Sequence, residues 1–211
     1  RVGMEFNKAT GSVNNKFNAI YDFVPLADSA RKAETRNIVS MNSCATCHGG
    51  VKLHKGYTTE YCVTCHNQYT SDPYTGTFDT TGTIVTGTTV DLQRLVHKVH
   101  MGRKLPSVMA GGTAYTINHV SFAGVFPGII KDCAVCHSPT AKKADGTTVL
   151  ENAANWYTTP TRRACSTCHD STSVLAHIDA NVSVAGVEQC GTCHKVGSVF
   201  GLDVAGVHKV R

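Results

Sequence analysis

The sequence predicts a loop-rich fold, with a few short α-helices and one short β element near the N-terminus, wrapped around material that its own side chains do not supply. Three observations predict it. Aromatic residues make up 7% and charged residues 17% of the 211, so a core built from side chains alone is thin for this length. Gly, Thr, Ser, Asn and Asp are spread throughout, which favours turns over long regular elements. The string C-x-x-C-H occurs five times and uses all 10 cysteines.

Residues 1–40 contain neither Cys nor His. Within them KFNAIYDFVP alternates around Phe17, Ala19, Tyr21 and Phe23, a strand pattern ended by Pro25. This region reads as a strand-bearing arm, or a linker from a preceding β domain, and residues 41–211 as the domain that carries the motifs. The longest gap between motifs runs from His66 to Cys133. In it TGTFDTTGTIVTGTTV reads as a loop or hairpin. DLQRLVHKVHMG follows, with Leu92, Leu95, Val96 and Val99 at helical spacing, and reads as a short helix. The most apolar stretch, residues 120–130, is broken by Gly124, Pro127 and Gly128 and falls far short of the ~20 residues a spanning helix needs. No charged and apolar leader is visible, so the chain reads as a mature product or an excised piece of something longer.

The five motifs are Cys44-Ala-Thr-Cys47-His48, Cys62-Val-Thr-Cys65-His66, Cys133-Ala-Val-Cys136-His137, Cys165-Ser-Thr-Cys168-His169 and Cys190-Gly-Thr-Cys193-His194. A cysteine pair alone can be half a zinc site, a redox dithiol or a disulfide. Five pairs do not sort evenly into four-cysteine zinc sites, and two-cysteine, two-histidine sites do not place the histidine against the second cysteine. A disulfide scaffold requires no histidine after every pair. C-x-x-C-H is the attachment signature of c-type haem: two thiols bond the porphyrin vinyl groups, and a short turn brings the next imidazole under the iron. The sequence therefore predicts five haem c groups and the fold class of a multihaem cytochrome c. The flat apolar macrocycles supply the missing core, so folding depends on their attachment.

His48, His66, His137, His169 and His194 are the proximal iron ligands on this reading. Six histidines remain: His54, His97, His100, His119, His177 and His208. Five irons with two histidines each require five of these six, and the sequence does not pick the spare. Met4, Met41, Met101 and Met109 are alternative ligands that would raise a haem's potential. His97 and His100, at i and i+3, share a helix face and can serve two different irons. His208, near the chain end, either closes the last haem or serves a haem elsewhere. Cys44 and Cys62 are 18 residues apart and Cys165 and Cys190 are 25 apart, which forces neighbouring macrocycles close together.

The formal charge is +5, but the basic residues are scattered rather than clustered with stacking aromatics, which excludes a nucleic-acid interface. The excess is read as compensation for the haem propionates, whose burial requires cationic or hydrogen-bonding partners.

The order NAIYDFVP, TRNIVSMNSCATCHGG, LHKG, YCVTCHN, LVHKVHMGRKLPSV, FPGIIKDCAVCH, RRACSTCHD, HIDANVSVAGVEQCGTCH and GLDVAGVHK resembles one pentahaem module of the OmcA/MtrC family of outer-surface decahaem c-type cytochromes. The resemblance covers about residues 16–210. It implies bis-histidine haems, with the six further histidines at the family's histidine positions. It implies passage of respiratory electrons toward metal oxides, flavins or electrodes at the outer cell surface, in company with other multihaem cytochromes or a porin–cytochrome conduit. A full member carries two pentahaem modules and split β-barrel domains; one module is present here, and no lipobox is visible.

The leading functional expectation is a non-catalytic electron-transfer protein working by multistep hopping between haems. A multihaem reductase needs an open iron, and six spare histidines for five irons argue against one. A third reading is a subunit of a polymerised cytochrome filament, with His208 donated across an interface. Haem c is attached outside the cytoplasm, so the chain is extracytoplasmic: at the outer surface by the resemblance, otherwise periplasmic.

Overall fold

The computed structural model describes residues 1–10, 13–25, 37–49, 57–75, 77–78, 84–143 and 146–208. The chain divides into two compact units. One comprises residues 1–65 and 134–154, the other residues 66–133 and 155–211.

The first unit opens with β1 (Val2–Thr10) and β2 (Val13–Tyr21), paired antiparallel from Val2 opposite Tyr21 to Thr10 opposite Val13. The alternation foreseen for residues 17–23 is a strand only as far as Tyr21, because there β2 runs out of partner at Val2. Phe23 instead stacks on Tyr21 with ring centroids 6.1 Å apart. One face of the hairpin presents Val2, Met4, Phe6, Phe17 and Tyr21 to solvent. The other packs on the helix carrying Tyr61. Gly3 permits that approach, since a Cβ there would lie 2.8 Å from the Tyr61 ring. Asn18 and Thr58 exchange two hydrogen bonds, Nδ2 to Oγ1 at 3.1 Å and Thr58 N–H to Oδ1 at 3.0 Å. Arg1 donates twice to the Asp22 carboxylate, at 2.7 and 2.9 Å, and once to the Glu60 carbonyl at 3.1 Å.

Two helices follow in this unit, α1 (Met41–His48) and α2 (Thr59–Cys65). Residues 134–154 pack back on the start of this region. Asn37 donates from Nδ2 to Glu151 Oε2 at 3.0 Å, its carbonyl accepts from Asn152 N–H at 3.2 Å, and Leu150 and Ala153 are buried.

The second unit begins with β3 (Thr77–Phe78) and β4 (Ile84–Thr86), the hairpin expected in the Thr/Gly-rich stretch. Then comes α3 (Leu92–Met101), the helix expected from apolar spacing. Asp91 caps its N-terminus, accepting from Arg94 N–H at 3.3 Å, which satisfies one of the donors a helix start leaves over. Gly102 ends it at φ +51°, and the Gly124 carbonyl oxygen occupies the place a Cβ would take, so only glycine fits. A 3-10 turn leads to α4 (Pro106–Met109), which has Pro at its first position. The hairpin β5 (Thr116–Ile117) and β6 (Val120–Ser121) follows. Beyond residue 154 are α5 (Asn155–Thr158), α6 (Arg162–Cys165), α7 (Thr172–Ala180), α8 (Cys190–His194) and α9 (Val204–His208).

The side-chain core of this second unit is small. Val90, Leu105, Tyr115 and Ile178 are buried, while Val184, Val199, Phe200 and Leu202 are exposed. The predicted loop-rich fold of short helices is what the chain adopts, and its apolar side chains do not close over themselves. Among the described residues no helix is long and apolar enough to cross a membrane.

Candidate metal centres

Each C-x-x-C-H string is held on a turn of helix or beside one. Motif 1 lies within α1, capped by Ser40, whose hydroxyl accepts from Ser43 N–H, and closed by Gly49 N–H donating to the Ala45 carbonyl at 2.8 Å. Cys62 and Cys65 of motif 2 sit on α2, and His66 is the first residue of the second unit. Motif 3 starts on a 3-10 turn, Cys133–Val135. Motif 4 runs off the end of α6, where Cys168 N–H and His169 N–H both donate to the Cys165 carbonyl, at 3.2 and 2.9 Å. Motif 5 is α8 in its entirety.

Burial pushes the thiols of Cys44, Cys62, Cys165, Cys168 and Cys190 up. Neighbouring motifs add to it: Cys44 raises Cys62, and Cys190 raises Cys165. A reactive dithiol needs a lowered thiol pKa, and burial moves these five thiols the other way.

Five of the histidines share one device that would leave a ring nitrogen for a metal. The Nδ1 of His66 lies 2.8 Å from the Val90 carbonyl, and that of His194 lies 3.0 Å from the Leu202 carbonyl. On the helices, the Nδ1 atoms of His97, His100 and His208 meet the carbonyls four residues back: Gln93 at 2.7 Å, Val96 at 2.8 Å and Val204 at 3.0 Å. A carbonyl oxygen only accepts, so Nδ1 carries the proton and Nε2 keeps the lone pair a metal needs.

Two pairs of imidazoles face each other within the second unit. His169 and His208 have ring centroids 6.0 Å apart with planes at 80°. For His177 and His194 the values are 6.2 Å and 85°. An imidazole nitrogen binds a first-row metal at about 2.0 Å and lies about 1.1 Å from its own ring centre, so two imidazoles on opposite sides of one ion hold their centroids about 6.2 Å apart. The gaps fit one iron each. Burial pushes His169 down, and the neighbouring His208 adds to that. The donor chemistry fits c-type haem: thiols that would bond its edge and imidazole nitrogens that would bind its iron.

The other predicted residues are placed differently. His97 and His100 lie on α3, and His100 meets the edge of Phe126 at 5.4 Å. His119 is exposed in the β5–β6 turn at φ +62° and lies tilted against Tyr74, with ring centroids 5.2 Å apart. His54 lies outside the described residues.

The sequence reading did not find the polar groups around motif 4. Asp170, directly after His169, accepts from Ser107 N–H at 2.9 Å, Ser107 Oγ at 2.7 Å and Lys98 Nζ at 3.0 Å. Burial pushes its carboxyl up, but the Ser107 and Lys98 bonds outweigh this and hold it below the usual range. On the other flank Arg163 Nη2 pairs with the buried Asp91 at 2.8 Å. The one sequence signal for these contacts was an acidic residue abutting the motif.

The family model that describes the outer membrane cytochrome MtrC/MtrF-like domains II/IV matches residues 36–209. The crystal structure of the outer membrane decahaem cytochrome OmcA is similar in fold, with a TM-score of 0.59 and 22% sequence identity. That match covers 98% of this chain and 28% of the OmcA chain. A search of curated proteins returned no match.

Proposed function

The chain belongs to the MtrC/MtrF-like outer membrane cytochromes, and from that premise we propose that it is an electron conduit, with no catalytic site, built on five c-type haems that each bind two histidines. Membership of this family makes the protein an extracytoplasmic multihaem cytochrome of the outer cell surface. The haem count, the ligand set and the acceptor are our reading.

The observation that carries it is the facing of His169 with His208 and of His177 with His194, at 6.0 and 6.2 Å. Haem iron supplies the one-electron couple. The chain's own residues do the rest: ten cysteines tether, and the five motif histidines with His177, His208, His97 and His100 bind iron through Nε2. The fifth further ligand comes from His54 or His119. With both axial positions filled by imidazole, no iron coordinates a substrate, and acceptors take electrons at an exposed haem edge. Residues 41–211 form the haem-bearing domain, and residues 1–40 a strand-bearing arm or a linker. The partners are other multihaem cytochromes or a porin–cytochrome conduit on the supply side, and metal oxides or flavins on the acceptor side.

The test is a pyridine haemochrome count, with a visible spectrum of the dithionite-reduced protein before and after carbon monoxide. Five haems and an unshifted Soret band are expected. A shift of about a fifth of the Soret intensity would mean an open iron and replace the conduit with a reductase.

A further inference from the structure

Asp170 occupies an unusual place for a carboxylate. It follows the motif 4 histidine directly, and its side chain is 9% exposed. It accepts from Ser107 twice and from Lys98 once. Lys98 stands on α3 between His97 and His100, and α4, with Ser107 on it, follows α3 after a short turn. The Lys98–Asp170 contact therefore joins the backbone of one iron ligand, His169, to a helix that carries two others.

The facing of His169 and His208 commits motif 4 to that pair, so His97 and His100 serve different irons. The node is thus a bridge between neighbouring haem sites, and it is charged. A second contact, Arg163 to Asp91, fixes the N-terminal end of α3 to the other flank of the same motif. The buried Asp91 and the half-buried Asp170 clamp α3 to motif 4 from both sides, and only the Asp170 clamp abuts the iron ligand.

We propose that Asp170 is a positioning residue that sets the potential of the motif 4 haem: it fixes His169 against α3, and its half-buried negative charge, offset in part by Lys98, favours the ferric state. This rests on the haem reading above. Burial, charge and hydrogen bonding around an axial ligand are among the means by which a protein tunes haem potential. In a poorly solvated site a single charge acts over several ångströms.

Two variants separate charge from packing. Asp170→Asn keeps the shape and an acceptor for Ser107 but removes the negative charge, leaving Lys98 uncompensated. Lys98→Met keeps the stem and removes the positive charge, leaving Asp170 uncompensated. In a spectropotentiometric titration of the intact, haem-loaded protein, Asp170→Asn is expected to move one midpoint upward and Lys98→Met to move the same midpoint downward. A purely structural role does not produce opposite signs. Unmoved midpoints in both variants, or shifts of the same sign, with the haem count intact, overturn the proposal.

His208→Ala assigns the haem and checks the premise separately. It is expected to make one haem bind carbon monoxide, and that haem is the one whose midpoint responds to residue 170. If no haem becomes reactive to carbon monoxide, the pairing of His169 with His208 is wrong, whereas the signs of the two charge variants still decide the role of Asp170.

Discussion

The β1–β2 hairpin and the stretch from residue 155 to 208 reach order by opposite routes. The hairpin satisfies its backbone through a continuous antiparallel ladder, and its polar side chains tie it to α2. The C-terminal stretch has short helices, few buried apolar side chains such as Pro160 and Ile178, and exposed Val184, Val199, Phe200 and Leu202. Two pairs of its imidazoles lie with ring centroids 6.0 and 6.2 Å apart, the spacing of two rings on one metal ion. The hairpin is specified by the chain alone, whereas the C-terminal stretch is a mould whose core comes from outside.

Denying motif 4 its haem should break this contrast most severely. Cys165→Ser with Cys168→Ser is expected to bring amides across residues 155–208 to the exchange rates of an unfolded chain, as for a domain that folds on its metal. Residues 2–21 should keep their protection in the same hydrogen-exchange experiment. Retained protection in both regions would show that side chains alone hold the C-terminal stretch.

Asp91→Ala ranks next. It removes a helix cap and leaves Arg163 without its buried partner. A loss of about 3 kcal/mol is expected, read from the denaturant midpoint of the haem-loaded protein. A cost near zero would mean that α3 is held by its haems and not by this clamp.

The smallest effect lies in the hairpin. Asp22 is held below the usual carboxylate range mainly by its bond to Arg1. Because the folded value lies below the unfolded one, about 3.9, this contact contributes fully above about pH 5 and is lost as pH falls through the folded value. Asp22→Asn should cost under about 1 kcal/mol at neutral pH and flatten the acid limb of the stability curve. An unchanged acid limb would place the pH sensitivity in other carboxylates.

Legibility in the sequence follows the range of the interactions. Helix α3 was readable because its apolar spacing is local; the structure adds the Asp91 cap and the Gly102 stop. The C-x-x-C-H strings were readable because the spacing of two thiols and an imidazole is itself the chemistry. Strand β1 was not foreseen, since its apolar alternation fades after Phe6 and its partner β2 supplies the ladder. The facing of His169 with His208 joins residues with two helices and several loops between them, so no local pattern encodes it. The contacts of Asp170 are of the same kind: Ser107 and Lys98 reach it from 63 and 72 residues away.

The imidazole planes of the two facing pairs cross at 80° and 85°, and that angle has a magnetic consequence. Parallel axial rings lift the degeneracy of the two iron d orbitals that point out of the haem plane, between it and the axial ligands. Rings near a right angle leave those orbitals almost equal in energy, and unquenched orbital momentum makes the ferric ion strongly anisotropic. On the proposed ligation, the two C-terminal haems belong to this class. In frozen solution their paramagnetic resonance should collapse to one broad low-field feature each, in place of the three-line rhombic pattern of parallel rings.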